Sequence, residues 1–189
     1  FIVASRDGIA FEFPEGSFKN NHITVGEALE DLPPLMNGAK IEKMSYGKKA
    51  ISDYARKMRG RRRKVTQNYV TQNSELVIRR YEHIRPGSNW RDIPKDLMSN
   101  YRDHSRCHHG IYRRLKEEEP AHVIANYRKS MLIHPTENRG LSLREAARLQ
   151  SFPDDYYFMG PLIYKQQQVG DAVPPLLAEA VFNKINEIV

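Results

Sequence analysis

The chain has one cysteine, Cys107, among 189 residues. That excludes an internal disulfide and points to a reducing compartment. No apolar run approaches the roughly 20 residues that a bilayer-spanning helix needs. No basic-then-apolar stretch reads as a secretory leader, so the expected setting is cytoplasmic, with no membrane partner. Internal repeats and low-complexity tracts are missing too. Acidic residues are in deficit: 23 Asp and Glu stand against 30 Lys and Arg, a formal net charge of +7. The apolar share of 40% is enough for a core, so the chain suits one ordinary domain or part of a larger one. Its first residue, Phe1, lies inside an apolar run rather than a polar lead-in, which reads as a cut within a longer protein.

The positive charge is concentrated. Residues 56–64 hold Arg56, Lys57, Arg59, Arg61, Arg62, Arg63 and Lys64 and no acidic residue. Such a run attracts polyanions, of which nucleic acid is the commonest inside cells; the plain alternative is a solvated basic face. Around it the local signals are mixed. Phe1-Ile2-Val3-Ala4 reads as a buried strand and residues 9–14 as a second extended piece. Thr24 and Glu27 form a capping box for a short helix from Val25 to about Leu32, stopped by Pro33-Pro34. Ile51, Tyr54, Ala55 and Met58 predict a helix from about Lys48 to Arg59, and residues 74–80 a strand. Ile93, Leu97 and Tyr101 suggest a short helix capped by Asp92, with Pro94 in its first turn. Ser142 and Glu145 make a second capping box. Residues 169–173 read as a turn leading to a terminal helix near Pro174-Pro175, whose apolar face is Leu177, Val181, Ile185 and Ile188.

Two strings near the C-terminus carry the most specific signal. Ser142-Leu143-Arg144-Glu145-Ala146-Ala147-Arg148-Leu149-Gln150-Ser151-Phe152-Pro153 is followed at about twenty residues by Gln168-Val169-Gly170-Asp171-Ala172-Val173-Pro174-Pro175. In content, order and spacing they resemble the last two sequence blocks of the DNA (cytosine-5)-methyltransferases. Val25-Gly26-Glu27-Ala28-Leu29-Glu30-Asp31-Leu32-Pro33 is similar to a segment these enzymes carry after their central block. Gly110-Ile111-Tyr112-Arg113-Arg114-Leu115, with Glu119 to Ile124, resembles the end of their target-recognition region.

The resemblance implies an α+β fragment: an irregular, mostly extended target-recognition domain plus the terminal helix of a Rossmann-like α/β methyltransferase domain. Residues 1–34 would end the catalytic sheet, 35–140 would form the recognition domain, and 141–189 would return to the catalytic domain. The cofactor implied is S-adenosylmethionine, with Asp171, Ala172 and Val173 at its methionine end. Many relatives have Asn where Asp171 stands. A carboxylate there repels the cofactor's own, so Asp171 is expected to turn away or to accept a hydrogen bond; the plainer alternative for this segment is a helix cap. The partner implied is double-stranded DNA, with Arg61, Arg62, Arg63 and Lys64 on phosphate, His108 and His109 at base edges, and Arg113 or Arg114 on phosphate or guanine. Where many members have Thr, this chain has Val123. Arg144, Glu145, Arg148 and Gln150 are expected to brace the hinge between two domains through hydrogen bonds and ion pairs.

His104, Cys107, His108 and His109 lack a second ligand pair at zinc spacing, so no metal is expected. The family's nucleophile is a cysteine after proline, but Cys107 follows Arg106. No Glu-Asn-Val string is present, since Glu137-Asn138 continues into Arg139. No catalytic residue is therefore assigned, and the chemistry is expected from a missing N-terminal region. Two alternatives are a natural DNA-binding subunit of a split methyltransferase and a nucleic-acid-binding module unconnected with methyl transfer.

Overall fold

A computed structural model describes residues 1–6, 8–16, 21–101, 110–125, 127 and 132–188. The described residues up to 23 form no helix or strand. Phe1 and Ile2 are 58% and 98% exposed, so the expected buried strand is an open segment with no sheet neighbour among the described residues.

The first helix, α1 (Val25–Leu29), starts where the capping box places it. The Thr24 N–H donates to Glu27 Oε2 (2.8 Å), and the Glu27 N–H donates to Thr24 Oγ1 (3.2 Å). Strand β1 (Lys40–Ser45) then precedes α2 (Asp53–Arg59), which is shorter than expected because Ser52 supplies the cap, its Oγ accepting from the Ala55 N–H (3.0 Å). Strand β2 (Lys64–Tyr69) returns antiparallel to β1, pairing Ser45 with Lys64 and Lys43 with Thr66.

Residues 75–82 form helix α3 (Glu75–Glu82), not the expected strand. Val77 and Ile78 suit a strand by propensity. Yet Val77, Ile78 and Tyr81 stand three and four residues apart on one helical side, and they pack there against the second of two apolar cores. Beyond α3, the expected helix is reduced to a 3-10 turn, Lys95–Met98, that starts after Pro94, and a second 3-10 turn, Trp90–Asp92, precedes it; Ile93 and Leu97 are still buried. Two-residue strands β3 (Arg113–Arg114) and β4 (Leu132–Ile133) pair in parallel.

Helix α4 (Leu143–Leu149) is the centre of the molecule, and residues 143–148 are all buried, charged ones included. Helix α5 (Leu162–Asp171) follows, and then α6 (Pro175–Asn186) opens at the expected proline pair. Of the face expected for α6, Val181 is buried while Leu177 remains 49% exposed. The larger core joins α1, α4 and the end of α5 to Leu115, Ile124 and Phe158. The smaller core gathers α3 and the 3-10 turns around Tyr112 and Ile133. No helix among the described residues is long and apolar enough to cross a membrane.

Candidate nucleic-acid interface and cofactor edge

The basic run folds as the end of α2, a turn at Gly60 and the start of β2. Gly60 takes a left-handed φ of +57° that ordinary side chains resist, which reverses the chain and leaves Arg61, Arg62, Arg63 and Lys64 exposed. Lys43 of β1 joins them, because its register partner Thr66 is two residues from Lys64. The sequence offered no sign of this neighbour, since β1 has no apolar alternation. Together these residues line an open concavity of about 660 Å³. Arg61, Arg63, Lys64 and Lys43 form no ion pair among the described residues, whereas Arg62 lies 3.3 Å from Asp155.

Beneath the turn lies a network of ion pairs and hydrogen bonds. Arg59 lies 3.9 Å above the Tyr46 ring and donates to the Lys48 carbonyl (3.0 Å). Tyr46 donates to Asp154 Oδ2; burial and the Asp154 carboxylate raise its pKa above the ordinary phenol value. Asp154 in turn binds Arg148 through two contacts of 2.7 and 2.6 Å, and Arg148 reaches Asp31 at 2.9 Å. Arg144 donates to the carbonyls of Thr66 (3.1 Å), Pro153 (3.2 Å) and Tyr156 (2.8 Å). Gln150 donates to the carbonyls of Ile124 (3.2 Å) and Val169 (3.0 Å). The bracing expected of Arg144, Arg148 and Gln150 is therefore present. Arg139, which the sequence reading passed over, belongs to the same frame through a bidentate pair with Glu145 at 2.8 and 2.7 Å.

Arg114 corrects an expectation. It is 4% exposed, and its guanidinium donates to the carbonyls of Tyr81, Ile84, His134 and Glu137 and to Asn138 Oδ1. With its donors committed to the fold, it has none to offer phosphate or guanine. Its neighbour Arg113 is half-buried at an open hollow shared with Arg85 and Lys116, and its Nε–H donates to His122 Nε2 (3.0 Å). Burial, and then the Arg113 charge, lower the His122 pKa, in keeping with an imidazole that accepts. Val123 is 86% exposed. His108, His109 and Cys107 lie outside the described residues.

The expected turn at 169–173 is mostly helix: Val169, Gly170 and Asp171 complete α5. Gly170 is needed for packing. A Cβ there would stand 2.1 Å from the Ala125 carbonyl oxygen, so the close approach it permits is to this chain's own backbone. Asp171 accepts from the Gln167 Nε2–H, one helical turn away. In the link to α6, Val173 is 50% exposed, while Ala172 is half-buried and packs against the larger core. For a cofactor such as S-adenosylmethionine, the segment offers the exposed apolar side chain of Val173 beside the half-buried Ala172.

Comparison with known proteins finds relatives over most of the chain. A sequence model described as C-5 cytosine-specific DNA methylase matches residues 1–187. Type II methyltransferase M1.HphI of Haemophilus parahaemolyticus is 30% identical over 180 residues, covering 95% of this chain and 41% of that protein. DNA (cytosine-5)-methyltransferase 1B of Oryza sativa subsp. japonica is 33% identical over 190 residues, covering 88% of this chain and 12% of that protein. Among solved structures, a DNA modification methyltransferase encoded within a prophage (E. coli) shares the fold with a TM-score of 0.64 at 20% identity, over 88% of this chain and 47% of the other. The chain spans less than half the length of each. A match over nearly all its residues, on a frame built from the two C-terminal blocks, places this chain in the C-5 cytosine-specific DNA methylase family.

Proposed function

We propose that this chain is the DNA-recognising C-terminal portion of an enzyme that transfers a methyl group from S-adenosylmethionine to C5 of a flipped-out cytosine. The observation that carries the reading is the exposed cationic concavity at residues 60–64, mounted on a buried arginine frame, in a chain of this family. Members of the family use S-adenosylmethionine as methyl donor. Ala172 and Val173 form one edge of its site, and the rest of that site, with the nucleophile, lies in the region outside this chain. Arg61, Arg63 and Lys64 grip phosphates, which positions the duplex without reading sequence. Arg113 sits at a second hollow with Arg85 and Lys116. His108 and His109 meet base edges. Residues 35–140 act as the recognition region, while 1–34 and 141–189 belong with the catalytic part, a division supported by the packing of α1 on α4.

Salt dependence of duplex binding tests the grip. With ~5 phosphates neutralised, log K against log salt should fall with a slope of about −4.5 in the intact protein. Replacing Arg61, Arg62 and Arg63 together with Ala should flatten that slope by about 2 to 3 and weaken all sequences alike. Substituting His108 or His109 should instead relax the methylated sequence at one base pair, by about 1–3 kcal/mol. A triple variant with the parent slope would reduce the run to a solvated face.

A further inference from the structure

One carboxylate is delivered into the cationic concavity, and its neighbours in sequence are all pinned. Arg144 holds the carbonyls of Pro153 and Tyr156, on either side of Asp155. The Asp154 N–H donates to the Met58 carbonyl (2.9 Å), while the Asp154 carboxylate is bound by Arg148. Phe158 is held by the Gln67 side chain, whose amide donates to its carbonyl (2.9 Å) and accepts from its N–H (3.0 Å). Asp155 itself is not buried. Its side chain is 55% exposed, it is the one acidic residue lining the concavity among those described, and its Oδ2 stands 3.3 Å from Arg62 Nη2.

A carboxylate and a phosphodiester offer a guanidinium the same paired oxygens. Exposed ion pairs are weak, so a duplex phosphate arriving at this cavity competes with Asp155 on nearly equal terms. We propose that Asp155 is an internal competitor for backbone phosphate: it occupies Arg62 and tempers the sequence-independent grip of the surrounding cations. Arg61, Arg63, Lys43 and Lys64 remain open to DNA, and Arg62 is held in reserve. The inference rests on the reading that this concavity receives duplex phosphates.

The test is salt-dependent duplex binding by the intact protein and its D155N, R62A and R62A/D155N variants. Freeing Arg62 adds one phosphate contact, so D155N should steepen the slope by about 0.9 and, at 0.1 M salt, tighten binding by up to about eightfold. In the R62A background, D155N should change neither quantity. Unchanged or weaker binding by D155N overturns the proposal, as does equal tightening in R62A/D155N, which would mark a general charge effect. A R61A/R63A variant with the parent slope would overturn the phosphate reading itself, and this inference with it.

Discussion

Replacing Arg148 with alanine should cost about 3–5 kcal/mol of stability, the largest effect expected of any single substitution here. Arg148 is fully buried between Asp31 and Asp154, both also fully buried. Removing the guanidinium strands Asp154 without a counter-charge and leaves Asp31 only its longer contact with Arg59 at 3.4 Å. It also releases the Ala28 carbonyl, which Arg148 Nη1 holds at 3.0 Å, one of the contacts between α1 and α4. Arg148→Met restores most of the volume and none of the charge, so it should be nearly as destabilised. Urea denaturation should show the midpoint falling with the m-value unchanged. A loss below about 1 kcal/mol in Arg148→Ala would mean that the buried network contributes no more than a surface pair.

Acid should undo a second part of the same frame. Burial pushes the Glu145 carboxyl pKa upward, but the Arg139 guanidinium, His134 and hydrogen bonds from Arg139 and the Ser142 N–H outweigh it and hold the group at about 2, against an ordinary value of 4.5. The folded-state pKa is therefore below the unfolded one. The stabilisation is fully present above about pH 4.5 and disappears as pH falls toward 2. At about 1.4 kcal/mol per pKa unit, this shift corresponds to about 3 kcal/mol. His134, 3.7 Å from Glu145, adds to the acid sensitivity: burial lowers its pKa, so it is neutral near pH 7 and must gain a charge inside the protein on acidification. Arg139 stays charged throughout and Glu137 faces it from the β4–α4 connection. Denaturation midpoints measured from pH 7 to 2 should drop steeply below 4.5 in the parent. Glu145→Gln should begin less stable at pH 7 and fall less steeply. Parallel curves for the two proteins would contradict the assignment.

Which elements were legible in the sequence follows from how local their causes are. Helices α1 and α4 announced themselves through capping boxes, a hydrogen-bond pattern contained within four residues. The proline pair likewise marked the start of α6. By contrast, α3 was hidden because Val77 and Ile78 carry strand propensity, and only their packing around Tyr81 selects the helix. Strand β1 buries neither face fully, so Lys40–Ser45 has no periodicity to read. Gly170 is a close-approach position, but a sequence cannot say whether a ligand or the Ala125 carbonyl does the approaching. Arg114 and Arg139 show the same limit for charge. A guanidinium that binds phosphate and one that binds buried carbonyls are written with the same letter, and only burial separates them. The exposed turn at 60–64 was legible as charge, while its shape, and the presence of Lys43 and Asp155, required the fold.

On the function proposed above, this chain grips and recognises DNA for a methyl transfer whose nucleophile lies elsewhere. Cys107 follows arginine and no Pro-Cys or Glu-Asn-Val string occurs in the chain. The most direct measurement is tritium transfer from labelled S-adenosylmethionine to cytosine-containing duplex DNA by this chain in isolation. The account predicts no incorporation above the protein-free control, even at salt low enough for the duplex to be bound. Incorporation of label at C5 of cytosine by the isolated chain would contradict it.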